Sequence, residues 1–177
     1  MGHEDNAGRM PSPSKTLLIV YHSMTGGTRQ MAEAARAGAQ EEAGGVQVRL
    51  LHAGQAGADD VLAADGFLFA TPENLAAISG QLKDFFDRSY YGVLDRVNGR
   101  PYASLVCAGS DGSNAARQID RIATGWRLRP IAEPLIVCTH AQTPEAILAA
   151  KRIEDGDLTR CKALGEAMAA GLALGVF

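Results

Sequence analysis

The strongest constraint in this chain is an alternation: short runs that are apolar almost throughout, separated by longer segments whose apolar residues recur at helical spacing. The runs at 16–21, 66–71, 103–108 and 134–139 have too little polar surface to face water, so as strands they need helices on both sides. The run 46–51 differs. Its Val46, Val48 and Leu50 alternate with Gln47 and Arg49, which reads as an edge strand with one wet side. Helical patterns fill the intervals at 27–43, 59–64, 81–88, 113–124 and 157–174. The first is closed by Gly44 and Gly45, the third puts Leu82, Phe85 and Phe86 on one face, and the fourth groups Ala115, Ile119 and Ile122 before Gly125. The last carries Leu158, Cys161, Leu164, Met168 and Leu172 three or four apart. Five strands alternating with five helices predict an α/β fold, a doubly wound three-layer sandwich whose five-stranded parallel sheet runs in the order 2-1-3-4-5.

Composition narrows the function classes. At 177 residues the chain suits one domain, expected over 15–177, and about 70% of its surface can be buried on folding. Seventeen basic against 20 acidic residues leave a formal charge of −3, which argues against a nucleic-acid surface. The nearest basic cluster, Arg117, Arg121, Arg127 and Arg129, is interleaved with Asp120. Three cysteines without CxxC spacing predict neither a disulfide framework nor a zinc site, and no metal site is expected. The opening segment 1–14 is polar, lacks the apolar stretch of a secretory signal, and reads as a disordered arm. Lys162 and Glu166 keep the apolar segment 161–177 short of a membrane span, so a soluble, cytoplasmic protein is expected.

In a doubly wound sheet, ligands bind beyond the carboxyl ends of the strands, at the point where the strand order reverses. Three loops belong there. After the first strand comes His22-Ser23-Met24-Thr25-Gly26-Gly27-Thr28, hydroxyls and glycines that open directly into a helix. Free N–H groups and the positive end of a helix dipole suit a phosphate, and Gly26 and Gly27 tolerate the positive φ that would curl the chain around it. The loop lacks GxxxxGK[ST] and GxGxxG, so neither a triphosphate loop nor a dinucleotide fingerprint is present. The plainer alternative is that Thr25 only caps the helix. After the third strand comes Thr71-Pro72-Glu73-Asn74-Leu75-Ala76-Ala77-Ile78-Ser79-Gly80, and after the fourth comes Ala108-Gly109-Ser110-Asp111-Gly112-Ser113. A flat ligand fits between two such small, polar loops.

The stretches YHSMTGGTRQMAEA, TPENLAAISGQLKDFFDR and CAGSDGS, in this order and each after a strand, resemble the flavodoxin-like FMN proteins. They are most similar to the tryptophan-repressor-binding-protein type (WrbA-like) quinone oxidoreductases and the NADPH-dependent FMN reductases. The resemblance implies an FMN phosphate on Ser23, Met24, Thr25, Gly26, Gly27 and Thr28. It implies the ring and ribityl chain on Pro72, Glu73, Asn74 and Leu75 and on Ala108, Gly109, Ser110, Asp111 and Gly112. Many relatives carry an aromatic residue near position 75, where this chain has Leu75, so FMN is expected either tightly bound or loosely held and partly a substrate. The resemblance further implies hydride transfer from NAD(P)H through FMN to a quinone-like acceptor or free flavin, and a homodimer or homotetramer. The cofactor carries that chemistry, so no catalytic side chain is assigned. Glu73 and Asp111 either approach the ring and lower its potential or point to solvent.

Other readings stay open on the residues alone. A flavodoxin-type electron carrier shares the fold and cofactor, but such carriers are strongly acidic and this chain is near neutral. A serine hydrolase would use Ser110 in an approximate GxSxG elbow with His140 as base, yet the first glycine is missing. A phosphorelay receiver would need acidic residues where His22-Ser23 and Thr71-Pro72 stand. Cys107 and Cys138 read as small buried hydrophobes, with a redox pair as the alternative. His22 and His52 read as locally hydrogen bonded, Trp126, Tyr90 and Tyr91 as core or subunit contact, with an acceptor pocket as the alternative for Tyr90 and Tyr91. The Ala- and Gly-rich last helix reads as ordinary packing.

Overall fold

The computed structural model describes residues 14–42 and 44–177; the arm expected over 1–14 falls, but for Ser14, outside them. Strands Thr16–Tyr21 (β1), Gln47–His52 (β2), Gly66–Asn74 (β3) and Pro101–Ala108 (β5) form one parallel sheet in the order β2-β1-β3-β5. The half-exposed β2 is an edge, as its alternation predicts. Beyond β5 the expected strand 134–139 is present, and a break separates it from a further short strand before it that the sequence did not suggest. Arg129–Pro130 (β6) pairs with the start of β5, and Leu135–Cys138 (β7) pairs with its end. The break falls at Pro130 and Pro134, which have no N–H to give to a ladder. A further two-residue strand, Ala77–Ile78 (β4), turns back antiparallel on the end of β3, where the sequence suggested only a loop.

Side chains alternate across the sheet, and this divides the core in two. Leu17, Ile19, Leu68 and Leu105 face the helices Gly27–Glu41 (α1) and Asp155–Leu174 (α6). Leu18, Val20, Phe67 and Phe69 face Ala58–Ala63 (α2), Gly80–Val93 (α3) and Ser113–Gly125 (α4). Phe69 anchors that second core, with Phe86 4.9 Å and Trp126 6.3 Å away, both edge-on. Cys107 lies in the first core and Cys138 packs on the second, so the two thiols face opposite sides of the sheet and form no redox pair. The α1 helix ends at Glu41, short of the expected 43, while α3 runs on to Val93 and α6 starts at Asp155. One short helix escaped the periodicity altogether: Pro144–Leu148 (α5), capped by the Thr143 hydroxyl on the Ala146 N–H with Pro144 in its first turn. Among the described residues no helix is long and apolar enough to cross a membrane.

Candidate functional site

At the carboxyl ends of β1, β3 and β5 the chain leaves a cleft of about 520 Å³, within the usual size of a small-molecule site. Its floor is the turn between β1 and α1. The Ser23 hydroxyl accepts the Gly26 N–H at 3.1 Å, and Gly26 takes φ +91°, so the chain enters α1 through a left-handed residue. Gly26 is the cap position and no side chain caps the helix, which removes the reading of Thr25 as a cap. The first-turn N–H groups of α1 therefore have neither an intrahelical partner nor a capping side chain. Gly27 does not have the positive φ expected of it. Its role is space, because a Cβ there would stand 2.6 Å from the Cys107 Sγ. Thr28 is 2% exposed and its hydroxyl has no hydrogen-bond partner beyond the neighbouring thiol of Cys107. Burial pushes that thiol up to about 11, against the opposing pull of Lys151 and of the Thr28 hydroxyl.

The second wall is the β3–β4 hairpin. Leu75 and Ala76 form its two-residue turn with φ of 50° and 60°, a conformation that asparagine and glycine adopt at far lower cost. The turn is held from outside: the Ile78 N–H donates to Gln118 Oε1 at 2.9 Å, and the Asn114 side chain donates to the Ala76 carbonyl. Below it the Ser79 N–H donates to Thr71 Oγ1 at 3.0 Å, and Ser79 caps α3. Leu75 is fully exposed at the lip, and Glu73 buries an Oε2 that has no partner.

The third wall is Ala108, Gly109 and Ser110. Gly112, at φ +82°, closes this loop against Ile136 rather than facing the cleft, and the Asp111 carboxylate accepts the Ser113 hydroxyl at 2.7 Å. Of the residues assigned to the site by sequence, Gly26, Asp111 and Gly112 do not line the cleft; the others do. Asp111 thus takes the solvent-facing alternative. His140, the base of the hydrolase reading, is not among the lining residues either.

A fourth wall has no counterpart in the sequence reading: Thr139, Ala141, Ile147, Leu148 and Lys151. The Lys151 Nζ donates to the carbonyls of Ala146, Ile147 and Ala149 at 2.7, 2.8 and 2.6 Å, closing the end of α5. Its N–H donates to the Thr25 carbonyl at 2.8 Å. Gln30 completes the tie, donating to the carbonyls of Gly26 and Lys151 at 2.9 and 2.7 Å and accepting the Ile153 N–H at 3.1 Å. Among the described residues Lys151 is the single cation lining the cleft and Glu73 the single carboxylate. The signal that could have found α5 is Thr143-Pro144-Glu145, a helix start. Tyr90 and Tyr91 lie away from the cleft on α3, their rings 5.2 Å apart. Beside the floor, His22 is buried with an unpartnered Nδ1, and burial together with nearby His52 lowers its pKa. His52 accepts the Gly54 N–H on Nδ1. Among the described residues no group of side chains suits a metal ion.

A family model described as NADPH-dependent FMN reductase matches residues 52–143, which include the second and third walls and stop short of α5. The chain is 35% identical to a protein named flavodoxin from Aquifex aeolicus (strain VF5), over 52% of this chain and 47% of that one. It is 32% identical to an NAD(P)H dehydrogenase (quinone) from Acidithiobacillus ferrooxidans, over 41% of this chain and 46% of that one. The matched part thus spans about half the length of these relatives. Among solved structures, an archaeal flavodoxin superposes with a TM-score of 0.71 at 19% identity, covering 89% of this chain and 98% of that one. A WrbA-like protein from Agrobacterium tumefaciens gives 0.69 at 20% identity, covering 92% and 99%. These two likenesses establish a flavodoxin fold. With the family model matched over half its length, the chain belongs to the NADPH-dependent FMN reductase family.

Proposed function

We propose that this protein is an FMN-dependent oxidoreductase that passes hydride from NAD(P)H through FMN to a quinone-like acceptor or to free flavin. The observation that carries this reading is the floor of the cleft. An uncapped helix N-terminus, a buried Thr28 hydroxyl with no partner but the weak Cys107 thiol and a Gly27 with no room for a Cβ all border one space. A buried hydroxyl left unpaired costs about 1–3 kcal/mol, and a flavin phosphate is the acceptor those donors lack. Glu73 fits the same group, since its buried Oε2 awaits a donor such as a flavin hydroxyl or ring N–H. FMN, when bound, supplies the hydride chemistry.

The chain's own part is binding and orientation. The Ser23 hydroxyl shapes the turn by accepting the Gly26 N–H, which leaves its own O–H, with those of Thr25 and Thr28, to donate to the phosphate. Lys151 sets one positive charge beside a dianion. Pro72 to Leu75 and Ala108 to Ser110 border the remainder of the cleft, where the ring belongs. Leu75, aliphatic and fully exposed, offers the ring little stacking, which suits a flavin that exchanges.

A carrier without NAD(P)H activity is the second reading, favoured by the relative named flavodoxin. One experiment separates them: anaerobic addition of NADH or NADPH to the FMN-loaded protein, followed by benzoquinone. The reductase bleaches and recovers over many cycles; flavin that binds and is reduced by neither nucleotide identifies the carrier.

A further inference from the structure

Beside the cofactor cleft, across the turn that forms its floor, lies a second concavity of about 490 Å³. The two share Ser23, Met24, Thr25 and Leu148, so the turn between β1 and α1 is a partition with a space on each side. The second space is built from different chemistry. Tyr21 and His52, the last residues of β1 and β2, are register partners whose rings meet edge-on at 5.5 Å. Since His52 Nδ1 accepts the Gly54 N–H at 3.1 Å, its ring proton belongs on Nε2, leaving that nitrogen a donor. Arg29, in the first turn of α1, also lines the concavity. Among the described residues its one ion-pair partner is Glu33, at 4.0 Å, and its side chain is 59% exposed, so the guanidinium is free to engage an anion. Among the described residues no aspartate or glutamate lines the space.

We propose that this concavity receives the adenosine diphosphate portion of a dinucleotide. The inference rests on the flavin reading of the neighbouring cleft. A phosphate seated on the turn has this space beside it, and a second phosphate would meet the planar donor fork of Arg29, which matches phosphate oxygens in pairs. Paired rings with polar edges, Tyr21 and His52, suit the flat face and hydrogen-bonding rim of a purine. Arg29 is held by Glu33 only at 4.0 Å and no carboxylate is among the lining residues, which favours a diphosphate over a neutral ligand. Two sources share this chemistry: FAD, whose diphosphate would cross the partition, and NAD(P)H.

The test titrates ADP by calorimetry against the full chain and Arg29→Ala, each with and without FMN. Arg29 is a surface residue, so the variant is expected to fold. ADP should bind the natural chain, and Arg29→Ala should weaken it about tenfold or more. If FAD is the source, the ratio of FAD to FMN dissociation constants rises by a similar factor in the variant. If NAD(P)H is the source, FAD and FMN respond alike while the KM for the nicotinamide nucleotide rises about tenfold. No ADP binding at millimolar concentration, or equal binding by both chains, overturns the proposal. ADP binding that depends on Arg29 in a chain that binds no FMN strikes the flavin reading alone and upholds the adenylate pocket.

Discussion

Lys151 joins two functions in one side chain. Its three bonds to carbonyls hold α5 in place, and its charge is the only positive one that the described residues bring to the cleft. Lys151→Met is expected to weaken FMN binding about tenfold, or 1.4 kcal/mol, and riboflavin binding much less, because riboflavin lacks the phosphate. Fluorescence titration of both flavins checks this; equal losses would mean that Lys151 only anchors the wall. Glu73 makes the opposite contribution, a carboxylate in a site that accepts electrons. Glu73→Gln should raise the FMN midpoint potential by on the order of 30 mV, which for two electrons is about 1.4 kcal/mol. No upward shift in a spectroelectrochemical titration would sink that role. At this scale the sequence was informative about place, since Ser23, Thr28 and Glu73 all line the cleft. It misled at Gly27, where the lack of a side chain matters for space rather than for φ; at Asp111 it left two orientations open, and the carboxylate accepts the Ser113 hydroxyl.

Among elements, the α1–α6 contact is the tightest test of packing. A Cβ on Gly165 would collide with the Ala35 carbonyl, and one on Gly38 with that of Lys162, so the helix backbones meet through two glycines. Gly165→Ala should cost about 1–3 kcal/mol of stability by urea unfolding. Gly156→Ala, in the first turn of α6 and facing open space, is the control and should be neutral or slightly stabilising. The β3–β4 hairpin carries strain in the other sense. Replacing Leu75-Ala76 by Asn-Gly should add about 1 kcal/mol, read as a higher melting temperature, since left-handed φ at ordinary residues costs that much or more. An unchanged or lower melting temperature would show that the clamp from Asn114 and Gln118 already absorbs the strain. Long periodic elements were legible because burial imposes the period. The two-residue strands have no period to read, and a Leu-Ala turn carries no turn residue, so β4 and β6 stayed hidden.

For the molecule as a whole, the sheet order followed from which runs are apolar on both sides and which one alternates. That order, together with the rule that ligands bind beyond strand ends, brought three separate loops to one cleft before any coordinates. The fourth wall was beyond such reasoning. It depends on Lys151 and Ile153 meeting Thr25 and Gln30, contacts between residues more than a hundred positions apart that no local pattern encodes. Whether this cleft is a flavin site is read from a crystal structure of the full chain with FMN. The phosphate is expected against the first-turn N–H groups of α1 and the Thr28 hydroxyl, with the ring between Pro72–Leu75 and Ala108–Ser110. FMN bound elsewhere on the chain, or a cleft that stays empty at saturating FMN, would contradict the flavin reading.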